Sequence, residues 1–305
     1  MASDNGGRPR VVISTDIGGS DNDDYQSMVH YLVCADVFDT EGLISSPPHA
    51  GRVGNILECI DLYEKDYPRL KSYSSSYPTA DYLRSVSRQG AIEAQSGEVP
   101  TEGDLSAGAK LLIDRANYDD PRPLYVLVWG SITDVAQAVR ADPGIKAKLR
   151  IYSIGSWNTV QDKRSRDYLF NEHLDLWWIE NDTTFRGMYM GGDQSGELSN
   201  ERFPEAHVAG HGHLGSLFME KLPVIKMGDT PSVLYLLHGD PDAPTANHWG
   251  GAFVQPYPDR PTYWHDDPNP SFDTNGRAGA KTVSKWRADY LRDWKMRMDR
   301  VQFER

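Results

Sequence analysis

The sequence predicts an α/β fold, with a mostly parallel, Rossmann-like central sheet flanked by helices. Three observations support this prediction: short β-rich apolar runs recur along the chain, a Gly or Ser turn follows most of them, and apolar residues at helical spacing come next. Since 39% of the 305 residues are hydrophobic and 25% are charged, the composition is that of a globular protein. We expect residues 1–9 to form a flexible lead-in and residues 10–305 to form a single domain.

The predicted elements follow in order along the chain. "RVVIST" predicts a strand, "DYQSMVHYLVCA" a helix whose acidic start suits the helix dipole, and "FDTEGLISSPP" a second strand with its loop. The next helices are predicted by "AGRVGNILECIDLYEKDYPRL" and "SAGAKLLIDRAN". A strand, a turn and a helix are predicted by both "PLYVLVWGSITDVAQAVRAD" and "LPVIKMGDTPSVLYLL", and a strand between them by "LRIYSIGSW". Residues 239–280, rich in Pro, Asp and Gly, predict long loops, and "TVSKWRADYLRDWKMRMDRV" predicts a long amphipathic helix.

The predicted topology also locates the active site. In sheets of this kind, ligands bind at the carboxyl ends of the strands, in the loops that follow them. The loops of interest are therefore 16–24, 45–49, 129–134, 155–171 and 228–231.

The charge of the chain restricts its partners. A net charge of −12 disfavours a nucleic acid polymer or an anionic membrane, because its long-range field repels phosphate. No apolar run reaches the ~18–20 residues that span a bilayer. The N-terminal "MASDNGGRPR" lacks the apolar core of a signal peptide, so a cytoplasmic protein is expected unless a signal was removed. We expect a small-molecule ligand and a cation.

The loop "STDIGGSDNDDY" places Asp16, Asp21, Asp23 and Asp24 close together without a nearby Lys or Arg. Such acids either stay hydrated or bind a hard cation such as Ca²⁺, which takes oxygen ligands. The position after a strand, with two glycines before a helix start, favours the cation. The loop is not an EF-hand, because no Glu closes it, and four acids would repel the phosphate that a P-loop binds.

Longer stretches carry a resemblance to a known family. They are "STDIGGSDNDDYQSMVHYL", "EGLISSPP", "LVWGSITDVAQAV", "IGSWN", "LWWIENDTTFRGMY", "GDTPSVLYLL" and "HWGGAFV". Together they resemble the inosine-uridine nucleoside hydrolase superfamily, in particular the nucleoside-hydrolase-like domain of proteins labelled cellulose-binding. The resemblance implies the nucleoside hydrolase fold and one Ca²⁺, which coordinates the attacking water and the ribose 2′ and 3′ hydroxyls.

The resemblance also implies roles for the acidic loop. Asp16 matches the aspartate that binds calcium and takes the proton from the water, and Asp24 matches the second calcium carboxylate. Asp23 matches the residue that binds a sugar hydroxyl. An insertion of about three residues before the pair departs from the family motif. An alignment without that insertion would make Asp21 the metal ligand instead of Asp24.

Two later motifs complete the implied metal site. "VWGSITDVAQ" resembles the turn whose first residue supplies a backbone carbonyl to calcium, which places this role on Trp129. "GDTPSVLYL" resembles the motif of the last metal carboxylate, which places it on Asp229. Without the resemblance, Asp229 would be interpreted as a helix N-cap before Pro231.

Asparagines in "IGSWN" and "FNEHLD" match those that hold ribose, which assigns Asn158 and Asn171 to substrate binding, with Phe170 beside the second. A Lys/Arg-rich insertion, "QDKRSR", separates the two asparagines further than in the family. Leu169 stands where the family has a Glu that grips the sugar.

The leaving-group side departs most from the family. Nucleoside hydrolases commonly have a His before the last calcium Asp, and Gly228 occupies that position here. Because a glycosidic bond needs an acid when its leaving group is poor, the acid must come from elsewhere. Candidates outside the motif, with Trp249 as a further substrate contact, are His248, His211, His213, His173 and Glu180.

Three functions remain open from the sequence. The first is a Ca²⁺-dependent glycoside hydrolase that cleaves an N- or O-furanosidic bond, in a ribonucleoside or related furanoside, by attack of a metal-bound water. The second is a calcium-dependent carbohydrate-binding protein without turnover. The third is a domain that calcium only stabilises. Relatives of this fold often form dimers or tetramers, so a homo-oligomer is also expected.

Overall fold

The computed structural model describes residues 7–19, 22–47, 53–95 and 104–303. Within these ranges, eight strands form one sheet: β1 Arg10–Thr15, β2 Asp39–Ser45, β3 Ser87–Gln89, β4 Leu124–Val128, β5 Leu149–Ile154, β6 Trp178–Asn181, β7 Phe253–Val254 and β8 Tyr263–Asp266. The spatial order is β3-β2-β1-β4-β5-β6-β8-β7. Every neighbouring pair is parallel except β7 and β8.

Helices cover both faces of the sheet. They are α1 Asp23–Val33, α2 Val53–Tyr73, α3 Ala80–Ser85, α4 Ala107–Ala116, α5 Thr133–Ala141, α6 Trp157–Gln161, α7 Lys163–Glu172, α8 Arg202–His207, α9 Gly212–Lys221, α10 Thr230–Leu237, α11 Ala280–Ser284 and α12 Arg287–Asp299. Strand residues alternate between two apolar clusters, as a period of two requires: Val11 and Ile13 pack with α1 and α2, and Val12 packs with α4 and α5. The predicted α/β fold with a mostly parallel sheet is therefore confirmed.

One predicted strand is wrong. The "LPVIK" part of residues 222–227 is not in the sheet, although its apolar run resembles a strand. The side-chain amide of Gln26 takes the place of a neighbouring strand, donating to Leu222 O and Val224 O at 2.8 Å and accepting from Lys226 N and Met227 N. The backbone groups are satisfied without pairing to a strand.

Two C-terminal predictions also need correction. Residues 239–280 contain β7 and β8 as well as loops, and β8 pairs with β6. The predicted long helix is interrupted between α11 and α12. No helix in the described part of the chain is long and apolar enough to cross a bilayer.

Candidate functional site

A cavity of about 300 Å³ lies at the carboxyl ends of β1, β4, β5 and β6. This is the edge where ligands bind in parallel α/β sheets. It lies between β1 and β4, where the strand order reverses, since β1 is followed by β2 on one side and β4 by β5 on the other. Its walls come from five parts of the chain: Asp16 and Gly19 with Asp23 and Asp24, Trp129, Ile154 to Asn158, Phe185 and Arg186 with Tyr189, and Lys226 with Gly228 and Asp229.

Three carboxylates converge in this cavity. Asp23, Asp24 and Asp229 each offer an oxygen, and these atoms all lie within 4.8 Å of one another. Asp23 and Asp24 open α1, and Asp229 immediately precedes α10. A hydrogen bond of 3.1 Å between Thr230 Oγ1 and Ser27 Oγ joins the two helices. Because α1 and α10 are tied at their starts, acids more than 200 positions apart in sequence meet.

Asp16 follows β1 and lines the same cavity, hydrogen-bonded to Asp24. Thr15 Oγ1 donates to the other side of the Asp24 carboxylate. Gly130 explains how Asp16 fits, since a Cβ at position 130 would lie 2.8 Å from the Asp16 Cβ. Asp21, the alternative ligand, lies outside the described residues.

The acids raise each other's pKa. Burial, followed by the charge of Asp23, raises the pKa of Asp16 to about 7. Burial and the charge of Asp24 raise the pKa of Asp23 to about 7, against the opposing effect of the Gly228 N–H. Burial and then the charge of Asp16 raise the pKa of Asp24. Burial and then the charges of Asp24, Asp23 and Asp16 raise the pKa of Asp229. Four ionised carboxylates in this space therefore require a compensating positive charge.

Asp229 shows that the site fits a cation. It occupies the N-cap position of α10, but its side chain makes no capping hydrogen bond. Its Oδ2 is buried and has no hydrogen-bond partner among the described residues. A buried carboxylate oxygen left without a donor is costly, and a hard cation would satisfy it. The donor set consists of oxygens alone, as Ca²⁺ prefers.

Trp129 is the residue expected to supply a backbone carbonyl. Trp129 lines the cavity, and its carbonyl accepts a 2.8 Å hydrogen bond from Asn158 Nδ2. Asn158 Nδ2 also donates to Ile154 O at 3.1 Å. Since its amide nitrogen is engaged, Asn158 has its Oδ1 left to accept a hydrogen bond from a ligand.

Asn171 and Phe170 are not brought to this cavity. Both lie in the last turn of α7, and Asn171 lines a separate groove with Arg140 and Lys163. The Phe170 ring lies against two guanidinium groups, with Arg260 at 3.8 Å and Arg166 at 4.1 Å from its centroid.

The acid candidates also lie elsewhere. Glu180 is buried in β6, where Arg166 Nη2 and Tyr263 Oη each donate to it at 2.6 Å. Both ring nitrogens of His248 lie against backbone carbonyls, at 3.0 and 2.7 Å. Trp249 stacks on His238 with 4.8 Å between centroids. The other histidine candidates contact side chains outside the cavity. His173 pairs with Tyr168, His211 with Asp299 and His213 with Asp66.

Sequence reasoning missed part of the cavity wall. Trp157, Phe185, Arg186, Tyr189 and Lys226 all line it. Trp157 and Arg186 do occur in stretches that carry the resemblance, "IGSWN" and "LWWIENDTTFRGMY", but neither is a residue the family motif assigns to the site. Only their placement after β5 and β6 identifies them.

Gly228 leaves little room for the family's histidine. A Cβ there would lie 3.0 Å from Asp23 Oδ2 and 3.5 Å from the Phe185 ring. The described residues that line the cavity include no histidine. The leaving-group side is therefore built differently from the family motif.

Comparisons with known proteins agree with this geometry. A solved nucleoside hydrolase-related hypothetical protein from Saccharophagus degradans, associated with carbohydrate metabolism, is 26% identical, with a TM-score of 0.76 over 98% of this chain and 73% of that one. A purine-preferring ribonucleoside hydrolase from Gardnerella vaginalis is 12% identical, with a TM-score of 0.52 over 95% and 99% of the two chains. The type III effector XopQ, solved with adenosine diphosphate ribose, is 10% identical, with a TM-score of 0.56 over 97% and 94%. The latter two share the fold alone.

No protein of curated function matches the chain significantly. A family model does match, over residues 10–253, and its description is "Cellulose-binding Sde182, nucleoside hydrolase-like domain". This match spans β1 to β7 and includes the four cavity aspartates. The chain therefore belongs to the Sde182 family of nucleoside hydrolase-like domains.

Proposed function

We propose that the protein is a Ca²⁺-dependent glycoside hydrolase that cleaves an N- or O-furanosidic bond in a ribonucleoside or related furanoside. The observation behind this proposal is the convergence of Asp23, Asp24 and Asp229, with one buried Asp229 oxygen lacking a donor among the described residues. Asp16 adjoins these acids at the end of β1. The family, and the nucleoside hydrolases that share the fold, support a glycosylase or carbohydrate-related role.

In this proposal the chain divides the work among five groups. Asp24 and Asp229 hold the ion together with the Trp129 carbonyl, and Asp23 lies close enough to share it. Calcium bound there would supply a positive charge that orients a sugar diol and lowers the pKa of a nearby water. Asp16 takes the proton from the attacking water.

The sugar contacts follow from the same wall. Asn158 Oδ1 can accept from a sugar hydroxyl, since its nitrogen is held by two carbonyls. Asp23, if one of its oxygens is free of the ion, does the same. The carboxylates around the ring would also stabilise the positive charge that develops on the sugar in an oxocarbenium-like transition state.

The second candidate is a calcium-dependent carbohydrate-binding protein without turnover. Two observations favour it: the family is described as cellulose-binding, and no histidine lines the cavity among the described residues. An ion that holds a sugar diol binds the sugar whether or not the bond is cleaved.

Turnover assays separate the two candidates. Release of 4-nitrophenol from 4-nitrophenyl furanosides, and of base from nucleosides, is measured with calcium and with a chelator. We expect calcium-dependent turnover that Asp16→Asn lowers about 100-fold or more, as removal of a positioned base does. Asp119→Asn, at an exposed position after α4, is the matched control. Calcium-dependent sugar binding without turnover of any substrate would refute the hydrolase and support the binding protein.

A further inference from the structure

An exposed tryptophan forms part of the cavity wall. Trp157 is 56% exposed, although it lines the cavity together with Phe185 and Tyr189. Its neighbour along α6, Val160, is also exposed at 69%, but does not line the cavity. A large aromatic ring kept in contact with solvent at the mouth of a polar site is a surface on which a ligand ring can stack.

The backbone on both sides of Trp157 is fixed. Ser156 has a φ of +56°, which a non-glycine residue rarely adopts, and its N–H donates to Asp182 Oδ1 at 2.6 Å. Gly155 has no room for a side chain, since a Cβ there would lie 2.0 Å from the same oxygen. Asn158 is held by the carbonyls of Trp129 and Ile154. Strain of this kind persists where the surroundings enforce it, and it fixes the backbone from which the indole extends at the cavity wall.

Arg186 supplies a positive charge to the same part of the wall. Its guanidinium lies 4.5 Å from the Phe185 ring centroid and donates to Asp182 O at 2.9 Å and Ser156 Oγ at 3.3 Å. No carboxylate oxygen of the described residues lies within 4.0 Å of its nitrogens, although four aspartates line the cavity. A guanidinium has five N–H donors, so several remain for a ligand.

We propose that Trp157 and Arg186 form the subsite for the group attached to the furanose, and that this aglycone is a ring that carries a carboxylate or phosphate. The ring stacks on the indole, and the acidic group pairs with the guanidinium, whose planar fork matches a carboxylate or phosphate. A neutral ring would use the stacking surface alone. This proposal rests on the proposed function, because it names the substrate class of the same cavity.

Three furanosides with one sugar test the subsite: methyl, phenyl and 4-carboxyphenyl. Because phenol leaves more readily than methanol in every variant, stacking is measured as the part of the phenyl-to-methyl ratio in kcat/KM that depends on Trp157, and this part is expected to be about 10-fold. The wild-type protein is expected to favour 4-carboxyphenyl over phenyl by a further factor of about 10, from a charge-assisted hydrogen bond. Two further substrates then distinguish a sugar aglycone from a base. One is a furanoside whose aglycone is a uronic acid, and the other is the riboside of a carboxylated pyrimidine.

The variants address each contact separately. Trp157→Ala should lower the phenyl-to-methyl ratio about 10-fold from its wild-type value, and Trp157→Phe should lower it less. Arg186→Gln should remove the preference for the carboxylate, whereas Arg186→Lys, which keeps the charge, should preserve part of it. The controls are Val160→Ala, on the same helix as Trp157, and Arg292→Gln, at an exposed position of α12. Both should leave the two ratios unchanged. Melting temperatures verify that every variant is folded.

The outcomes separate this proposal from the proposed function. If the wild-type protein turns over furanosides but Trp157→Ala and Arg186→Gln leave both ratios unchanged, the subsite is refuted and the hydrolase stands. If nothing is turned over, the same ratios are measured as Kd values with calcium by calorimetry. A preference for the carboxyphenyl furanoside that depends on Arg186 then supports the subsite, and its absence overturns it.

Discussion

Calcium should stabilise the protein more strongly at pH 8 than at pH 5. In the metal-free protein, the pKa values of Asp16 and Asp23 are raised from 3.8 to about 7. A carboxyl whose pKa is higher in the folded state than in the unfolded state favours folding at low pH. That contribution is fully present below pH 3.8 and is lost as the pH rises to about 7.

The size of the effect follows from these values. One such group stabilises the metal-free folded state by about 3 kcal/mol more at pH 5 than at pH 8, and bound calcium, which needs the ionised form, loses that amount at pH 5. The two aspartates are neighbours whose effects do not add, so we take one group as the measure. For 305 residues, an unfolding entropy of about 2.1 cal/mol/K per residue turns this into about 5 °C of melting temperature.

The assay is the shift in melting temperature between chelator and excess calcium, measured at both pH values. Because the other titrating groups are common to both samples, the difference between the two shifts isolates the ion site. We expect the calcium-induced shift to be about 5 °C larger at pH 8. Asp229→Asn should abolish the shift, whereas Asp119→Asn, exposed and outside the cavity, should keep it. Equal shifts at both pH values, or a shift that survives Asp229→Asn, would refute this reasoning.

Three further predictions concern single residues. Asp16→Asn should lower kcat about 100-fold while the calcium-induced rise in melting temperature persists, and loss of both would make Asp16 chiefly a ligand. Gly228→His should weaken calcium binding in calorimetry, because a Cβ there lies 3.0 Å from Asp23 Oδ2, and unchanged affinity would contradict this. Glu180→Gln should cost about 3 kcal/mol in denaturant unfolding, since it breaks the 2.6 Å pair with Arg166 and leaves Arg166 only Asp167, at 3.5 Å. Lost turnover at full stability would instead place Glu180 in the reaction.

The strands that position the site were predictable because their residues are buried on both faces. β4 is apolar throughout and β1 has an apolar Val-Val-Ile centre, and the residue that follows each strand lines the cavity. The acidic cluster was equally visible, since the aspartates after β1 have no basic residue beside them. Asp229 required the resemblance, because an Asp before Pro231 is interpreted as a helix cap in any sequence.

Other residues could not be placed because their environment comes from distant parts of the chain. Asn171 matches the second asparagine of the family, yet the Lys/Arg-rich insertion before it folds into α7, whose start Asp162 caps by accepting from Ser165 N at 3.0 Å. Asn171 is therefore carried to the exposed end of a helix. Glu180 was a candidate acid in "WWIEND", and only the structure reveals its partner, Arg166, on α7.

The cavity combines two halves with separate structural support. The ion half depends on β1, α1 and α10, which are joined through Thr15, Ser27 and Thr230. The wall that bears Trp157 and Arg186 depends instead on Asp182 and Asp266: Asp182 accepts from Ser156 N, and Asp266 of β8 accepts from the N–H groups of residues 182–184.

This separation has a consequence for specificity. Asn158 links the two halves, since its Nδ2 donates to Trp129 O. Trp157 and Arg186 make none of the contacts that hold the acids, so these two can change while the ion site keeps its geometry. Gly228 lies where the halves meet, and its N–H lowers the pKa of Asp23 while its lack of a side chain leaves the space beside Phe185 open. The absence of the family histidine at this position is thus compatible with an intact ion site, and the leaving group is the part of the substrate that we expect to differ.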